Sequence, residues 1–510
     1  MCGIAGFCGH TTDNLKQIRK MCDRMVYRGP DADGYFTDEN LGITLGHRRL
    51  SILDLSENGA QPMRSASGRF VISYNGEIYN FDTLRRRLIA DGYVKQFRGT
   101  SDTEVILEAF EAYGLDAVRD MKGMFAIALF DCKEKTLHLM RDRMGEKPLY
   151  YGIVNGHFAF ASDLHCLTAM EGFDNPISRE ALGAFVRYKS IPQPLSVYEH
   201  IYKLLPGQIL TIAAPYTHPS FTEYWSLAET AVNGMAHPFA GSEQEAREQL
   251  KLLLTDAIKG QMISDVPIGA FLSGGIDSPL VVSLMQSLSS APVKTFTIGF
   301  DDPKYNEAEY AKDISRHLGT DHTELYITDK DLKDVIPLLP EMFSEPLADP
   351  ACLPAYLVSK LARTKVTVTL SGDGGDELFC GYDIYARLEG LWGKLHKIPY
   401  GLRFAGGKCL QHTPLKYVNK LYNAAEYAML RDRKQLHTLF RNEHNFDAHH
   451  VVPGLSDLHD YLAGAQLKAD ALLLPDMTQY RQTLSLDLPD AKSTMIYRDQ
   501  MGFMNDTVLN

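Results

Sequence analysis

Two groups of residues far apart in the chain have types and spacings that can do chemistry. The first stands at the start, where Met1 is followed by Cys2 and Gly3. A methionine before a small residue is readily removed, which would leave an α-amine and a thiol on one residue. With an α-amine near pKa ~8 and a thiol near ~8.5, the amine can take the thiol proton near neutral pH without a histidine. Taken alone, Cys2 reads more readily as a small buried cysteine of a first strand. Other segments shift that reading. Arg28-Gly29-Pro30-Asp31 and His47-Arg48-Arg49-Leu50-Ser51-Ile52 set guanidinium groups beside turns, where a carboxylate can be gripped by two hydrogen bonds. Tyr74-Asn75-Gly76-Glu77-Ile78-Tyr79-Asn80 leaves a strand with an amide, a bare glycine and a carboxylate. Thiol attack on an amide needs donors for the oxyanion, which the Asn75 side chain and the Gly76 N–H can supply. A free amino acid also brings an ammonium group, for which Glu77 and Asp102 are suitable partners.

The second group is Leu272-Ser273-Gly274-Gly275-Ile276-Asp277-Ser278, between an apolar strand and a helix that begins near Pro279. Glycines let backbone N–H groups face a phosphate, serines add donors, and the helix N-terminus adds positive potential. No Gly-Lys-Ser/Thr follows, so the loop has no lysine for a γ-phosphate and suits pyrophosphate.

The elements that must position these groups fall into two patterns. Up to about residue 225, short β-branched and aromatic runs alternate with turns: 43–45, 70–75, 124–130, 137–141, 149–153 and 158–162. Helical periods lie between them at 14–25, 81–91 and 102–113, which predicts an α+β domain over 2–225. Residues 226–241 lack a clear period and carry Gly and Pro, and read as a linker. Ser242 and Glu245 then form a capping box before an apolar stripe of Ala246, Leu250, Leu253, Ala257 and Ile258. From 242 to 510, strands at 268–272, 293–300 and 366–370 alternate with helices at 280–288, 308–318 and 355–363, as in a parallel α/β sheet. Beyond about 385 the pattern is mostly helical.

Composition removes other classes of function. The chain has 510 residues, enough for two or three domains, and its 45% hydrophobic and 23% charged content is that of an ordinary globular protein. A net charge of -12 repels nucleic acid and anionic membranes. No apolar run reaches the roughly 18 residues of a membrane span and the first residues do not form a signal peptide, so a cytoplasmic protein is expected. The eight cysteines are too sparse for a disulfide scaffold and include no CxxC pair. Glu443, His444, His449 and His450 read as a solvated loop rather than a metal site, and Gly145-Glu146-Lys147-Pro148 as a turn.

The segments MCGIAGF, YRGPDADG, HRRLSILD, NGEIYN, GTSDTEV, GMFAIALFD and RDRMGEKPLYY resemble, in this order, the glutaminase domain of N-terminal-nucleophile amidotransferases of the asparagine synthetase type. SGGIDS resembles the pyrophosphate loop of the ATP pyrophosphatases, the synthetase half of the same family, with support from VKTFTIGF, His317-Leu318-Gly319 with His322, and LSGDGGDELF. The resemblance implies an αββα sandwich of the N-terminal-nucleophile hydrolase type. An α/β parallel-sheet ATP-pyrophosphatase domain with a mostly helical C-terminal part would follow it.

In the first half the resemblance makes Cys2 the nucleophile and puts Arg49 on the α-carboxylate of glutamine. It makes Asn75 and Gly76 the oxyanion hole, Asn75 also touching glutamine, and gives the α-amino end to Glu77 and Asp102. In the second half it sets Leu272 and Ile298 beside adenine, and Ser273, Gly274, Gly275, Asp277 and Ser278, with Ser371 and Gly372, on ATP. Asp277 and Asp376 are the choices for Mg2+. Asp373, where related enzymes often carry Glu, and Asp376 belong to the acceptor site.

The implied activity is that of a glutamine-dependent asparagine synthetase. Ammonia from glutamine would pass to a second site and attack a β-aspartyl-AMP made from ATP and aspartate. Three alternatives are a paralogue that amidates another carboxylate such as a sugar acid, a glutaminase only, and a non-enzymatic glutamine or nucleotide sensor. A homodimer is compatible with the family. Relatives normally continue past a segment like Met504-Asn505-Asp506-Thr507-Val508-Leu509 into a basic stretch and further helices, so an incomplete 242–510 domain is expected. Cys380 stands where the family usually has glycine.

Overall fold

Twelve strands of the first half pair only antiparallel, because hairpins and not crossovers join most of them. In the computed structural model, which describes residues 1–302, 306–383, 385, 397–402, 404, 405, 488, 491–502 and 504, they form two six-stranded sheets. The strands are β1 (Gly3–Cys8), β2 (Ala32–Asp38), β3 (Ile43–Arg49), β4 (Met63–Arg64), β5 (Phe70–Ile78), β6 (Gly123–Asp131), β7 (Thr136–Arg141), β8 (Tyr150–Val154), β9 (His157–Ala161), β10 (Ile201–Lys203), β11 (Gln208–Ala213) and β12 (Ser220–Glu223). One sheet runs β10-β8-β9-β1-β3-β2 and the other β12-β11-β7-β6-β5-β4.

Alternation along the strands gives each sheet two apolar faces, and three cores result. Ile4, Leu45, Val71, Phe130, Leu139 and Phe160 fill the space between the sheets. Helices α1 (Asn14–Asp23), α4 (Leu164–Thr168) and α5 (Arg179–Tyr188) lie on the β1 sheet, where Ile18, Met21, Leu167 and Ala181 join Ala5 and Phe7 in one core. Helices α2 (Phe81–Ala90) and α3 (Asp102–Tyr113) cover the β5 sheet with Leu84, Leu88, Val105 and Phe110 against Tyr74 and Phe125. This is the expected αββα sandwich.

The stretch 226–241, expected as a linker, contains helix α6 (Leu227–Ala236). Ser226 caps it by accepting from Glu229 N, a Ser-x-x-Glu start that the Gly and Pro around it obscured. Helix α7 (Glu243–Gln261) begins with the predicted capping box, but of its apolar stripe only Ile258 is buried, and Leu253 is 62% exposed.

The second half follows the alternating pattern through β13 (Ile268–Phe271), α8 (Asp277–Leu288), β14 (Lys294–Phe300), α9 (Ala308–Leu318), β15 (Asp321–Ile327), short α10 (Asp329–Val335) and α11 (Leu339–Met342), α12 (Cys352–Ala362), β16 (Val368–Leu370) and α13 (Gly375–Phe379). The strands form a parallel sheet in the order β15-β14-β13-β16. The order reverses at β13, so the loops leaving β13 and β16 open side by side, where parallel sheets form ligand crevices. Helix α14 (Ala491–Met501) is the main described element of the C-terminal part. The rest of the expected helical region and the His444, His449 and His450 group lie outside the described residues. No helix among the described residues is long and apolar enough to cross a membrane.

The halves meet through polar contacts. Glu345, after α11, pairs with Lys203 of β10 at 2.7 Å, accepts from Val197 N at 2.8 Å and from the Tyr150 hydroxyl at 3.2 Å. Both side chains of the ion pair are nearly buried.

Candidate active site

β1 and β3 belong to one sheet and β5 to the other, and polar bonds across the sandwich lock them together. His47 Nε2 lies 3.0 Å from Tyr74 O, and Ser73 Oγ donates to Gly46 O at 3.1 Å. Burial pushes the His47 imidazole down to about 4, so at neutral pH it is uncharged. Across this clamp a pocket of about 600 Å³, part of it open to solvent, is lined by Cys2, Arg49, Asn75, Gly76, Glu77 and Asp102 among others. All six residues assigned to the glutamine site from the sequence therefore share one pocket.

Cys2 precedes β1, and its Sγ receives a hydrogen bond from Leu50 N at 3.4 Å. Burial pushes its thiol up, while the Leu50 donor and the charge of Arg49 act in the opposite direction. Met1 is present, and burial, with help from Arg28 and Lys147, holds its amine down to about 5. Arg28 donates from Nε to Cys2 O at 3.2 Å, so it holds the Cys2 main chain and does not line the pocket.

Arg49 ends β3 and is 9% exposed. Its guanidinium donates to Ser56 O at 2.9 Å, Leu53 O at 3.4 Å and Asp54 O, and none of the ion pairs among the described residues includes it. Such a cation has fixed geometry and no counter-charge, a combination that suits a carboxylate ligand. Gly59 is a residue that sequence reasoning missed: a Cβ there would collide with Arg49 Nη2.

Asn75 is 1% exposed on β5, and its Nδ2 is buried with no hydrogen-bond partner. A lone buried donor is costly unless a ligand uses it. At Gly76 a Cβ would collide with Met124 O and lie 2.7 Å from Phe125 Cα, so strand pairing itself demands glycine. Asp102 opens α3 and accepts from the Tyr74 hydroxyl at 2.8 Å and from Ile78 N at 3.0 Å. Burial raises its carboxyl, against those hydrogen bonds. Glu77 is pushed up to about 8 by burial and by Asp102, with Lys147 opposing.

Lys147 is the second residue missed, because Gly-Glu-Lys-Pro reads as a plain turn. It is 6% exposed and lines the pocket. Asp142 fixes its main chain by accepting from Lys147 N at 3.0 Å, and Arg141 Nε donates to Lys147 O at 3.0 Å. Burial lowers its ammonium, which Glu146 and Asp142 support.

In the second half, Ser273, Gly274 and Gly275 form the loop after β13, and Asp277 and Ser278 start α8. Ser273 N donates to Ser278 Oγ at 2.9 Å, Gly275 N to Ser273 Oγ at 3.2 Å, and Gly274 N to Glu307 Oε2 at 3.2 Å. Glu307, not foreseen, thus holds one of the loop's N–H groups. Ser371 and Gly372 follow β16, and a Cβ at Gly372 would lie 2.7 Å from Ser278 N, so the two loops pack against each other. Leu272 is 3% exposed within the core under α8, and Ile298 on β14 is the more accessible of that pair. Asp373 is exposed.

Asp277 and Asp376 lie near enough for their charges to interact. A Cβ at Gly375 would lie 2.6 Å from Asp277 Cγ, and one at Gly381 would collide with Asp376 Oδ1. Burial and then the Asp376 charge push the Asp277 carboxyl up, a repulsion that a divalent cation relieves. Two carboxylates beside a phosphate loop fit Mg2+, which takes few protein oxygens and completes its shell with phosphate and water. No group of three or more His, Cys, Asp or Glu among the described residues is arranged for a metal.

The chain matches the glutamine amidotransferase domain model over residues 1–225 and the asparagine synthase model over residues 249–496. It is 38% identical over 408 residues to asparagine synthetase (glutamine-hydrolyzing) 1 of Bacillus subtilis, covering 79% of this chain and 62% of that one. It is 36% identical over 443 residues to the protein named "Putative asparagine synthetase (glutamine-hydrolyzing) 2" of Methanocaldococcus jannaschii, covering 83% of each. The chain belongs to the glutamine-hydrolysing asparagine synthetase family. Within this family it spans 62% of the length of the Bacillus relative and 83% of the Methanocaldococcus one. A more distant similarity, 29% identity over 413 residues, is to the amidase chyE of Penicillium rubens, with 76% of this chain and 60% of that one covered.

Proposed function

We propose that this chain is a glutamine-dependent asparagine synthetase, with residues 2–225 as its glutaminase, 226–241 as the joint and 242–510 as its synthetase. The observation that carries the first half is the unpartnered Asn75 Nδ2 in one pocket with the Cys2 sulfur. Arg49 holds the α-carboxylate of glutamine, and Glu77 and Asp102 take its ammonium. Removal of Met1 frees the Cys2 amine, which accepts the thiol proton. The thiolate attacks the side-chain amide carbon, and the oxyanion is received by Asn75 Nδ2 and the Gly76 N–H. The amine returns the proton to the departing ammonia, leaving a thioester. Water, deprotonated by the same amine, then releases glutamate.

In the second half the 272–278 loop, with Ser371 and Gly372, holds ATP, whose adenine lies beside Leu272 and Ile298. Phosphate takes over the Gly274 N–H that Glu307 occupies. The β-carboxylate of aspartate, whose ammonium is held by Asp373 and Asp376, attacks the α-phosphorus and releases pyrophosphate. Ammonia attacks the resulting acyl carbon, and asparagine and AMP leave. Asp277 and Asp376 would hold Mg2+, which when bound neutralises charge on the leaving pyrophosphate. Few water molecules reach an acyl adenylate in a closed site, which is why ammonia is expected to travel inside the protein. The substrates are small molecules; a cytoplasmic location and a homodimer accord with this reading.

The test measures AMP and pyrophosphate from Mg·ATP with ammonium and aspartate, beside glutamate release from glutamine. Aspartate-dependent AMP with asparagine as product is the expected result. AMP only with another carboxylate, such as a sugar acid, replaces the acceptor. Glutamate without AMP reduces the function to that of a glutaminase.

A further inference from the structure

The glutamine pocket is built on the sandwich, yet one of its walls is tied to the other half of the chain. That wall is the segment after β3. Ile52 and Leu53 line the pocket, and the carbonyls of Leu53, Asp54 and Ser56 hold the Arg49 guanidinium. The segment has no helix or strand of its own before residue 57, and Asp54 sits at a left-handed φ of 50°. Its course is fixed by side chains. Inside the sandwich, Asp54 Oδ2 accepts from Thr100 N at 2.8 Å. From the other half comes Asp265, whose Oδ2 accepts from Asp54 N at 2.9 Å and whose N donates to Ile52 O at 3.0 Å. Asp265 stands just before β13, the strand that ends in the 272–278 loop.

We infer that Asp265 is a positioning residue of the glutamine site: by fixing Ile52 and Asp54 it aims the Asp54 carbonyl, and through it the Arg49 guanidinium, at the substrate α-carboxylate. The inference rests on the reading of Arg49 proposed above. A bidentate arginine grip depends on angle as well as distance, so a loosened carbonyl cradle weakens it. The α-carboxylate is remote from the bond that breaks. Loss of aim therefore weakens substrate and transition state alike and appears in KM rather than kcat.

Full-length Asp265→Ala should raise the KM for glutamine about tenfold and leave kcat for glutamate release within about twofold. Asp265→Asn, whose Oδ1 still accepts from Asp54 N, should stay close to the parent protein. Cys2 alkylation by iodoacetamide, a reagent without a carboxylate, gives a readout apart from turnover. Its rate without glutamine should not change in Asp265→Ala, whereas the glutamine concentration that halves the rate should rise with KM. Asp265→Ser serves if the alanine variant does not fold. Unchanged KM and protection in Asp265→Ala, a loss of kcat in place of the KM effect, or no rescue by Asp265→Asn would overturn the inference. If the parent protein neither releases glutamate nor is protected by glutamine, the glutamine reading itself fails and takes this inference with it.

Discussion

Asn75 shows how a single residue can be set aside for a ligand. Its Nδ2 is buried with no acceptor, and a folded protein keeps such a donor at a cost of about 1–3 kcal/mol. Asn75→Ala should lower kcat for glutamate release about 10²- to 10³-fold with little change in KM, while thermal melting shows no loss of stability from a missing Nδ2 hydrogen bond. Glu77 and Lys147 lead to a pH effect. Glu77, pushed up to about 8 by burial and Asp102, carries its proton at neutral pH when the pocket is empty. An ammonium binds its ionised form, so the KM for glutamine should fall as pH rises from 6 to 8 and level off above that. Lys147 favours ionised Glu77, and Lys147→Met should therefore move the fall to higher pH, with Lys147→Arg restoring it. Steady-state kinetics across pH 6–9 checks both; an unshifted curve in Lys147→Met would remove the lysine from the account.

At the level of elements, the short helix α13 ends in strain. Its last position is followed by Cys380 at φ 64°, a left-handed conformation that costs a side chain roughly 1–2 kcal/mol and glycine almost nothing. This is the physical reason that the position suits glycine better than cysteine. Cys380→Gly should raise stability by about 1 kcal/mol in urea denaturation, less what glycine's freer unfolded chain takes back. Much of the element order was legible in residue pattern. The alternating apolar runs of β5, β6 and β7, the Ser101 cap of α3 and the glycine turn after β13 all lie where periodicity puts them. β15 is not legible in the sequence because Asp-His-Thr-Glu begins it with polar residues, and only pairing along all seven positions with β14 makes it a strand. The thiol, arginine, amide and carboxylates that share the pocket could be named from their motifs. Lys147, Gly59 and Glu307 could not, since each owes its place to a contact that no residue pattern announces: the Asp142 carboxylate, the Arg49 guanidinium and the Gly274 amide.

For the molecule as a whole, the contact between the halves includes an ion pair. Lys203 and Glu345 are nearly buried and 2.7 Å apart. Removing one partner of such a pair leaves an uncompensated charge, at about 3–5 kcal/mol. Glu345→Gln should lower the denaturation midpoint accordingly, whereas a swap of both residues for apolar ones of similar size should cost much less. The ion pair has a further consequence for how the protein comes apart. If the second half melted first, the Lys203 ammonium, the Val197 amide and the Tyr150 hydroxyl would all lose Glu345. Each half thus stabilises the other, so a calorimeter should record one endotherm, and a protease that clips between the halves should leave no long-lived fragment.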